Sequence, residues 1–384
     1  MSTFKVDSIA GEVPTDVINL PNKFKVGGNT IEQGYTASAT EPSSPNEGDF
    51  WWDTANSKVF RYINGGFKDV GATGYSPTIA WGGSRALFAG GNVGSNTSSD
   101  TIDYVSIPTQ GNAADFGNLL EISREIGTGS NSNRAFFAGN NNSNRDKIEY
   151  VTVATTANSA DFGNLTEQKM RVAAGVMGDG TYGLISGGWN TSAYSDVIDR
   201  VTIATTGNAI DHGDLVAGTD DFAGLSDATH AVTGGRGGNG SRLDTIDYVT
   251  IATAANAIDF GDISANVDGV CGASDATRGL FMGGLSNASF IDYITIATPG
   301  NSTNFADFVA GGNENSDGYT LSGCASSNGV RVVYGAARWE NSVGSTVHNN
   351  TIQFLVVQTI ANATDFGDLT LARFDCGGAS GSAI

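Results

Sequence analysis

The chain repeats itself, and that limits its fold more than any local propensity does. Residues 246–261 read Ile-Asp-Tyr-Val-Thr-Ile-Ala-Thr-Ala-Ala-Asn-Ala-Ile-Asp-Phe-Gly, and near copies recur along the sequence. The Ile-Asp-Tyr-Val element begins at Ile102, Ile148, Ile198, Ile246, Ile291 and, much altered, Ile352. The Asp-Phe-Gly element follows at Asp115, Asp161, Asp211 (with His212 for Phe), Asp259, Asn304 and Asp365. The distance between the two elements never varies: Tyr104 to Phe116, Tyr150 to Phe162, Arg200 to His212, Tyr248 to Phe260, Tyr293 to Phe305 and Phe354 to Phe366 are equal steps. A fixed internal spacing of this kind means one structural unit copied in tandem.

Each copy reads as four short strands. A Gly-rich strand is followed by one of the type Arg85-Ala86-Leu87-Phe88-Ala89, then by the Ile-Asp-Tyr-Val strand and the Asp-Phe-Gly strand. Second strands start at Arg85, Arg134, Tyr182, His230, Arg278 and Val330, a nearly constant period with a longer last step. Glycine supplies 53 of 384 residues and charged residues only 16%, a composition of short strands joined by tight turns, and no helical periodicity of useful length appears. Ile246 and Tyr248 face one way and Val249 and Ile251 the other, as expected for a sheet covered on both faces. Glycine suits the innermost strands, where sheets converge on an axis. An open solenoid needs polar caps and none is visible, so the array closes into a β-propeller.

The apolar strand ending in Gly-Gly, as at Gly187-Gly188, Gly234-Gly235 and Gly283-Gly284, resembles the kelch blade, whose period of about 50 is close to the one seen here. The outer-strand Trp of kelch is absent and the Phe of Asp-Phe-Gly stands in its place, so the unit is kelch-like. The innermost pattern occurs near residues 80, 126, 173, 222, 270, 321 and 376, whereas the other three strands occur six times. Phe67 precedes Arg85 by the same interval as Phe116 precedes Arg134. The expectation is an all-β, kelch-like propeller over 48–384, of seven blades, with 48–70 and 371–384 forming a composite closing blade. The alternative is six blades, with 48–70 a free module.

Residues 1–47 lie outside the repeat and read as an extended N-terminal arm and linker, interrupted by Pro14 and Pro21 and Ser/Thr/Pro-rich over 36–45. Gly48-Asp49-Phe50-Trp51-Trp52-Asp53-Thr54, Lys58-Val59-Phe60-Arg61-Tyr62 and Gly65-Gly66-Phe67-Lys68-Asp69-Val70 form a hairpin-rich stretch. This stretch resembles the small β-module of bacteriophage tail fibre and other virion appendage proteins, and Phe4-Lys5-Val6-Asp7 and Phe24-Lys25-Val26-Gly27-Gly28 resemble their attachment arms. The resemblance implies a structural virion protein. The arm would attach to other virion proteins, and the propeller, as a homotrimer, would present loops to a host surface glycan or receptor. A lectin-like propeller outside a virion and a glycan-active propeller enzyme are the alternatives.

Forty acidic against 20 basic residues give a formal charge of −20, which repels phosphates and anionic lipid, so neither nucleic acid nor membrane is an expected partner. No apolar run suits a signal peptide or a membrane span. Cys271, Cys324 and Cys376 recur on the innermost strands and read as small buried thiols, with no Cys-x-x-Cys or histidine pair for a metal. The Asp of each Asp-Phe-Gly is expected to bond its own turn amides, with calcium near Asp262 or Asp368 a weaker alternative. The Gly-rich loop 235–240 precedes no helix, so no cofactor is expected. His212 and His230 replace repeat residues, no nucleophile–base arrangement is argued from the sequence, and no catalytic function is expected.

One blade departs from the pattern. The gap 335–352 is longer than its counterparts such as 90–102, and the gap 305–330 is longer than its counterparts such as 116–134. Both loops leave a propeller at the same face, so they thicken one side of the sixth blade. They carry Arg338, Trp339, Glu340 and His348, and Asn313 and Tyr319, which are the candidate receptor- or glycan-binding residues. Trp189 and Tyr194, on the loop 188–196, come next.

Overall fold

The computed structural model describes residues 83–381, apart from 142–144, 174–176, 239–240, 276, 285–289, 309–319, 322–323 and 341–345, together with short segments between 24 and 69. All regular structure among them is β, and the repeat folds as a six-bladed propeller. Blade 1 pairs Gly377–Gly381, Arg85–Ala89, Ser99–Ser106 and Ala114–Ser123 from the axis outward. Blade 2 runs from Gly127–Ser130 to Ala160–Asn164, blade 4 from Ala223–Ser226 to Ile258–Val267 and blade 5 from Cys271–Ser274 to Thr303–Asp307. Blade 6 runs from Cys324–Ser327 to Thr364–Asp368. Blade 3 comprises Tyr182–Ser186, Val197–Thr202 and Ile210–Asp214, with its inner position held by a single bridge between Gly178 and Gly183.

The ring therefore closes differently from the seven-bladed expectation. Gly377–Gly381 pairs with Arg85–Ala89, which fills the inner place of the first repeat. The segment 78–82 that resembled an inner strand lies outside the described residues. Residues 48–70 are not part of the closing blade. Phe50–Asp53 pairs in parallel with Tyr35–Ser38 and antiparallel with Lys58–Ile63, which continues to Gly66–Asp69. That four-stranded sheet belongs to a compact unit of residues 1–76, separate from 77–384. Within the predicted arm, Phe24–Val26 pairs with Asn29–Ile31, and residues 1–23 lie outside the described residues.

Among the described residues the hydrophobic core is divided into six parts, one between each pair of neighbouring blades. Between blades 4 and 5, for example, Leu225, Ile246 and Phe260 meet Phe281 and Ile294, and between blades 6 and 1 Val333, Ile352 and Phe366 meet Ala86 and Ile107. The isoleucine that opens each Ile-Asp-Tyr-Val element is fully buried in all six blades. In five of them the aromatic of that element packs edge-on against the Phe of Asp-Phe-Gly, at 5.5–6.0 Å between centroids. In blades 1, 2, 5 and 6 the second-strand arginine covers that aromatic ring, as Arg134 does over Tyr150 at 4.2 Å, and donates to a carbonyl of a neighbouring blade, Ile203 O for Arg134, at 3.0 Å, whereas blade 4 places His230 against Tyr248. Blade 3 exchanges the two residues and keeps the contact, with Arg200 over Tyr182 at 4.6 Å. In blade 6 the arginine is Arg331, so the second strand begins there and not at Val330.

Polar groups lock the blades together at two levels. At the rim, an asparagine in the loop before each outer strand reaches back to the preceding blade. The amides of Asn118, Asn164, Asp214, Asp262, Asp307 and Asp368 donate to the side chains of Asn158, Asn208, Asn256, Asn301, Asn362 and Asn112 at 3.0–3.3 Å. The expected bond from the Asp of Asp-Phe-Gly to its own turn occurs at Asp211, which accepts from the Gly213 amide at 3.0 Å; the bond that recurs around the ring is the asparagine's. Deeper, the carboxylate at the second position of Ile-Asp-Tyr-Val (Glu149 in blade 2) accepts an amide from the outer strand, or just beyond it, of the preceding blade. These pairs are Asp103 with Thr370, Glu149 with Leu120, Asp199 with Thr166, Asp247 with Val216 and Asp292 with Ser264, at 2.7–3.2 Å.

The Asp-Phe-Gly glycine makes this approach possible. Gly213 has φ +145° and a Cβ there would lie 2.3 Å from Ala255 O of the next blade. Gly213→Ala is expected to destabilise the propeller by about 3 kcal/mol through clash and backbone strain, against about 1 kcal/mol for Asn256→Ala at the same joint, both read from chemical denaturation. Removal of 377–384 strips the inner strand from blade 1 and should abolish the cooperative melting of 77–384; an unchanged melting temperature would count against closure by this strand.

Candidate functional site

The loops between second and third strands and the loops that lead into each blade meet at one end of the ring. Backbone bridges join the two sets: Met170 with Trp189, Asp220 with Gly237 and Asn92 with Phe374. This loop face carries the sequence-derived candidates and, at its centre, a cluster of charges around the axis.

The two long loops of blade 6 come together. Arg338–Glu340 pairs with Thr346–His348 and, on its other side, with Thr320–Leu321 from the loop entering the blade. Thr320 stands opposite Trp339, Leu321 opposite Arg338, and Arg338 opposite His348. An accessory three-stranded sheet is thus built from both insertions. Arg338, Trp339 and Glu340 are placed by their backbone alone, and Asn313 and Tyr319 lie outside the described residues.

His348 anchors this sheet to the ring. Its imidazole stacks on Phe374 at 5.1 Å and 15°, and a Cβ on Gly94 of the blade 1 loop would lie 2.8 Å from its Cε1. The accessory sheet therefore sits at the seam of blades 6 and 1. Trp189 and Tyr194 lie on blade 3, the opposite side of a six-membered ring, so the two candidate groups do not form one site. Their half-buried rings pack edge-on at 4.9 Å, and the Trp189 backbone bridges to those of Tyr194 and Met170. His212 and His230 are structural. The buried His212 Nε2–H donates to Thr250 O at 3.1 Å, and burial pushes its imidazole toward the neutral form.

No residue motif announces the central cluster. Glu125, Arg171, Asp221, Gly269 and Asp375 occupy equivalent places just before five inner strands, each with φ between +51° and +65°. Their backbones form a relay around the axis: Glu125 N–H to Asp375 O at 3.0 Å, Arg171 N–H to Glu125 O at 3.0 Å, Asp221 N–H to Arg171 O at 3.1 Å and Gly269 N–H to Asp221 O at 2.7 Å. Arg171 lies 3.2 Å from Glu125 Oε2, 3.4 Å from Asp220 Oδ2 and 3.9 Å from Asp221 Oδ2. The residues flank a cavity of about 30 Å³, room for a water or two.

Desolvation among the groups crowded around the axis, then the neighbouring Asp220, pushes up the carboxyl of Asp221, whose side chain is still 37% exposed, against the pull of Arg171. Burial likewise raises Asp220. Burial lowers the Arg171 guanidinium, but Asp221, Glu125 and Asp220 outweigh it and hold the charge more firmly. The sequence signal for this cluster is the residue before each inner strand. The inner strands were legible, but left-handed backbone at Glu and Arg is not something residue type announces.

No protein-family model matches the chain, and no curated protein is significantly similar to it.

An acid whose folded pKa is raised opposes folding where it is ionised, and the penalty fades as pH falls toward the unfolded value of about 4. Asp221→Asn is therefore expected to raise the melting temperature at neutral pH, with the gain vanishing near pH ~4. Arg171→Met, which leaves the carboxylates facing one another, should do the reverse: a loss at neutral pH that shrinks on acidification. Melting curves of the three proteins across pH test both.

Proposed function

We propose that the protein is a binding component of a virion, a bacteriophage tail fibre or receptor-binding appendage that presents the propeller's loop face to the host surface. The observation that carries the reading is the accessory sheet of blade 6. Two independent insertions, from different loops of the blade, pair into one platform on the face where propeller ligands are met. Loops that served only to connect strands would have no reason to lengthen together. The resemblance of 48–70 and of the arm to virion appendage modules supplies the virion half of the reading, with attachment to neighbouring virion proteins and a homotrimeric assembly as its corollaries.

Recognition rests on Trp339 and its strand neighbours Arg338 and Glu340, with Asn313 and Tyr319 of the partner loop.

The test is adsorption of the purified protein to a panel of bacterial cells and their isolated surface polysaccharides. Trp339→Ala should weaken binding about thirty-fold per site, the effect of losing a central aromatic worth about 2 kcal/mol, with the melting temperature unchanged. Normal adsorption by that variant would shift the site to Trp189 and Tyr194. Absence of binding by the wild-type protein to any cell or glycan would count against the attachment reading itself.

A further inference from the structure

The seam that closes the ring carries a pair of cysteines with unlike surroundings. Cys376 precedes the closing strand Gly377–Gly381, and Cys324 opens the inner strand Cys324–Ser327 of blade 6. Both are almost fully buried and both belong to the core between blades 6 and 1. The two inner strands are held in register by Ser326 Oγ–H to Ala379 O at 2.8 Å and Ser380 Oγ–H to Ser327 O at 2.6 Å. This register places both cysteines side by side in the same core cluster at the seam.

Arg373 distinguishes them. This guanidinium is fully buried, donates Nη2 to Phe88 O at 3.0 Å, pairs with Asp103 at 3.2 Å and approaches Cys376 Sγ with Nε at 3.3 Å. Its Nη1 is buried with no hydrogen-bond partner among the described residues. The protonated Cys376 thiol has an acceptor in Gly90 O at 3.1 Å. Burial opposes ionisation of Cys376, as does Asp375, but Cys324 and Arg373 outweigh them and draw its thiol below the ordinary value. Burial drives Cys324 and Cys271 the other way. Cys376 also lines the cavity at the channel mouth, beside Ile126 and Asp375. Of the pair, Cys376 is the thiol that borders this cavity and the one whose thiolate a cation supports.

We propose that Cys376 and Cys324 are a peroxide-oxidisable dithiol that becomes an inter-blade disulfide across the ring's seam. The Cys376 thiolate attacks one oxygen of hydrogen peroxide, the O–O bond breaks, and the departing hydroxide takes up the thiol's proton as water, leaving a sulfenic acid. The Cys324 sulfur then attacks Cys376 Sγ, the S–O bond breaks, and hydroxide leaves with the Cys324 proton as a second water. Two thiols are oxidised by two electrons and one peroxide is reduced to two waters. Arg373 is a positioning residue that supports the attacking thiolate. The product ties the last strand of the ring to blade 6, where until then only packing and hydrogen bonds hold it.

The experiment treats the full chain with hydrogen peroxide under native conditions, quenches, and measures intact mass and disulfide-linked peptides. Expected is the loss of two hydrogens per chain, a single 324–376 crosslink, and a melting temperature raised by several degrees and restored by dithiothreitol. Cys324→Ser should stop at a sulfenic acid on Cys376 that dimedone traps, and Cys376→Ser should yield no trapped product. Because either variant could lose stability, the wild-type protein carries the decision. Three alkylatable thiols after treatment and denaturation, or a crosslink that involves Cys271, would overturn the proposal.

Discussion

A buried carboxylate that accepts a backbone amide from the neighbouring blade organises this ring. At the second position of Ile-Asp-Tyr-Val, Asp103, Asp199, Asp247 and Asp292 are almost completely removed from water. Each accepts a backbone amide from the outer strand, or just beyond it, of the blade before it. An acid left there without that amide would cost several kcal/mol, so the sheets tolerate only one spacing and one order. Where a further partner is needed, the chain supplies it variously: Arg373 for Asp103, Lys169 for Asp199 at 2.8 Å, Arg236 for Asp247 and the hydroxyl of Ser302 for Asp292 at 2.5 Å. These interactions add less to net stability than to specificity. The apolar interfaces supply the driving force, and the acids fix where each blade seats.

That division explains why closure matters so much. With the core split into six inter-blade parts, no blade buries its faces alone, and the interface between blades 6 and 1 buries the same repeat positions as its neighbour between blades 1 and 2, such as Ile352 and Phe366 where the other has Ile102 and Phe116. It differs in connectivity. Its inner strand arrives from the far end of the chain, so forming it requires closing a loop of nearly the whole domain. The accessory sheet, His348 on Phe374, and the Cys324–Cys376 pair all lie at this seam. The elaborations of the repeat therefore gather where chain connectivity is weakest and where the loop face is most built up.

The centre of the loop face obeys a different rule. Where the blades converge, left-handed residues turn into the inner strands and leave their side chains around a narrow mouth. The result is four carboxylates, Glu125, Asp220, Asp221 and Asp375, about the guanidinium of Arg171, in a space too small to solvate them fully. Arg171 faces Glu125, Asp220 and Asp221 at once and is the cation that offsets their mutual repulsion.

The repeat by itself determined the architecture: strand order within a blade, the alternation that buries both faces, the place of the glycines, and the blade that carries extra loops. These are local or periodic properties, and each copy states them again. The number of blades was a matter for tertiary structure. A strand pattern at 371–384 and a hairpin at 48–70 were both legible, but which partners they take depends on contacts between segments far apart in the chain. The structure pairs 377–381 with 85–89, and 50–53 with 35–38. The candidate loops show the same split. Their length and their place on blade 6 were readable from the spacing, whereas the pairing of Thr320 with Trp339 was not, nor was the stacking of His348 on Phe374. The channel-mouth charges were the least visible of all. Glu125, Arg171, Asp221 and Asp375 are of three residue types, each sits in a different repeat, and only the convergence of the inner strands on one axis makes them neighbours.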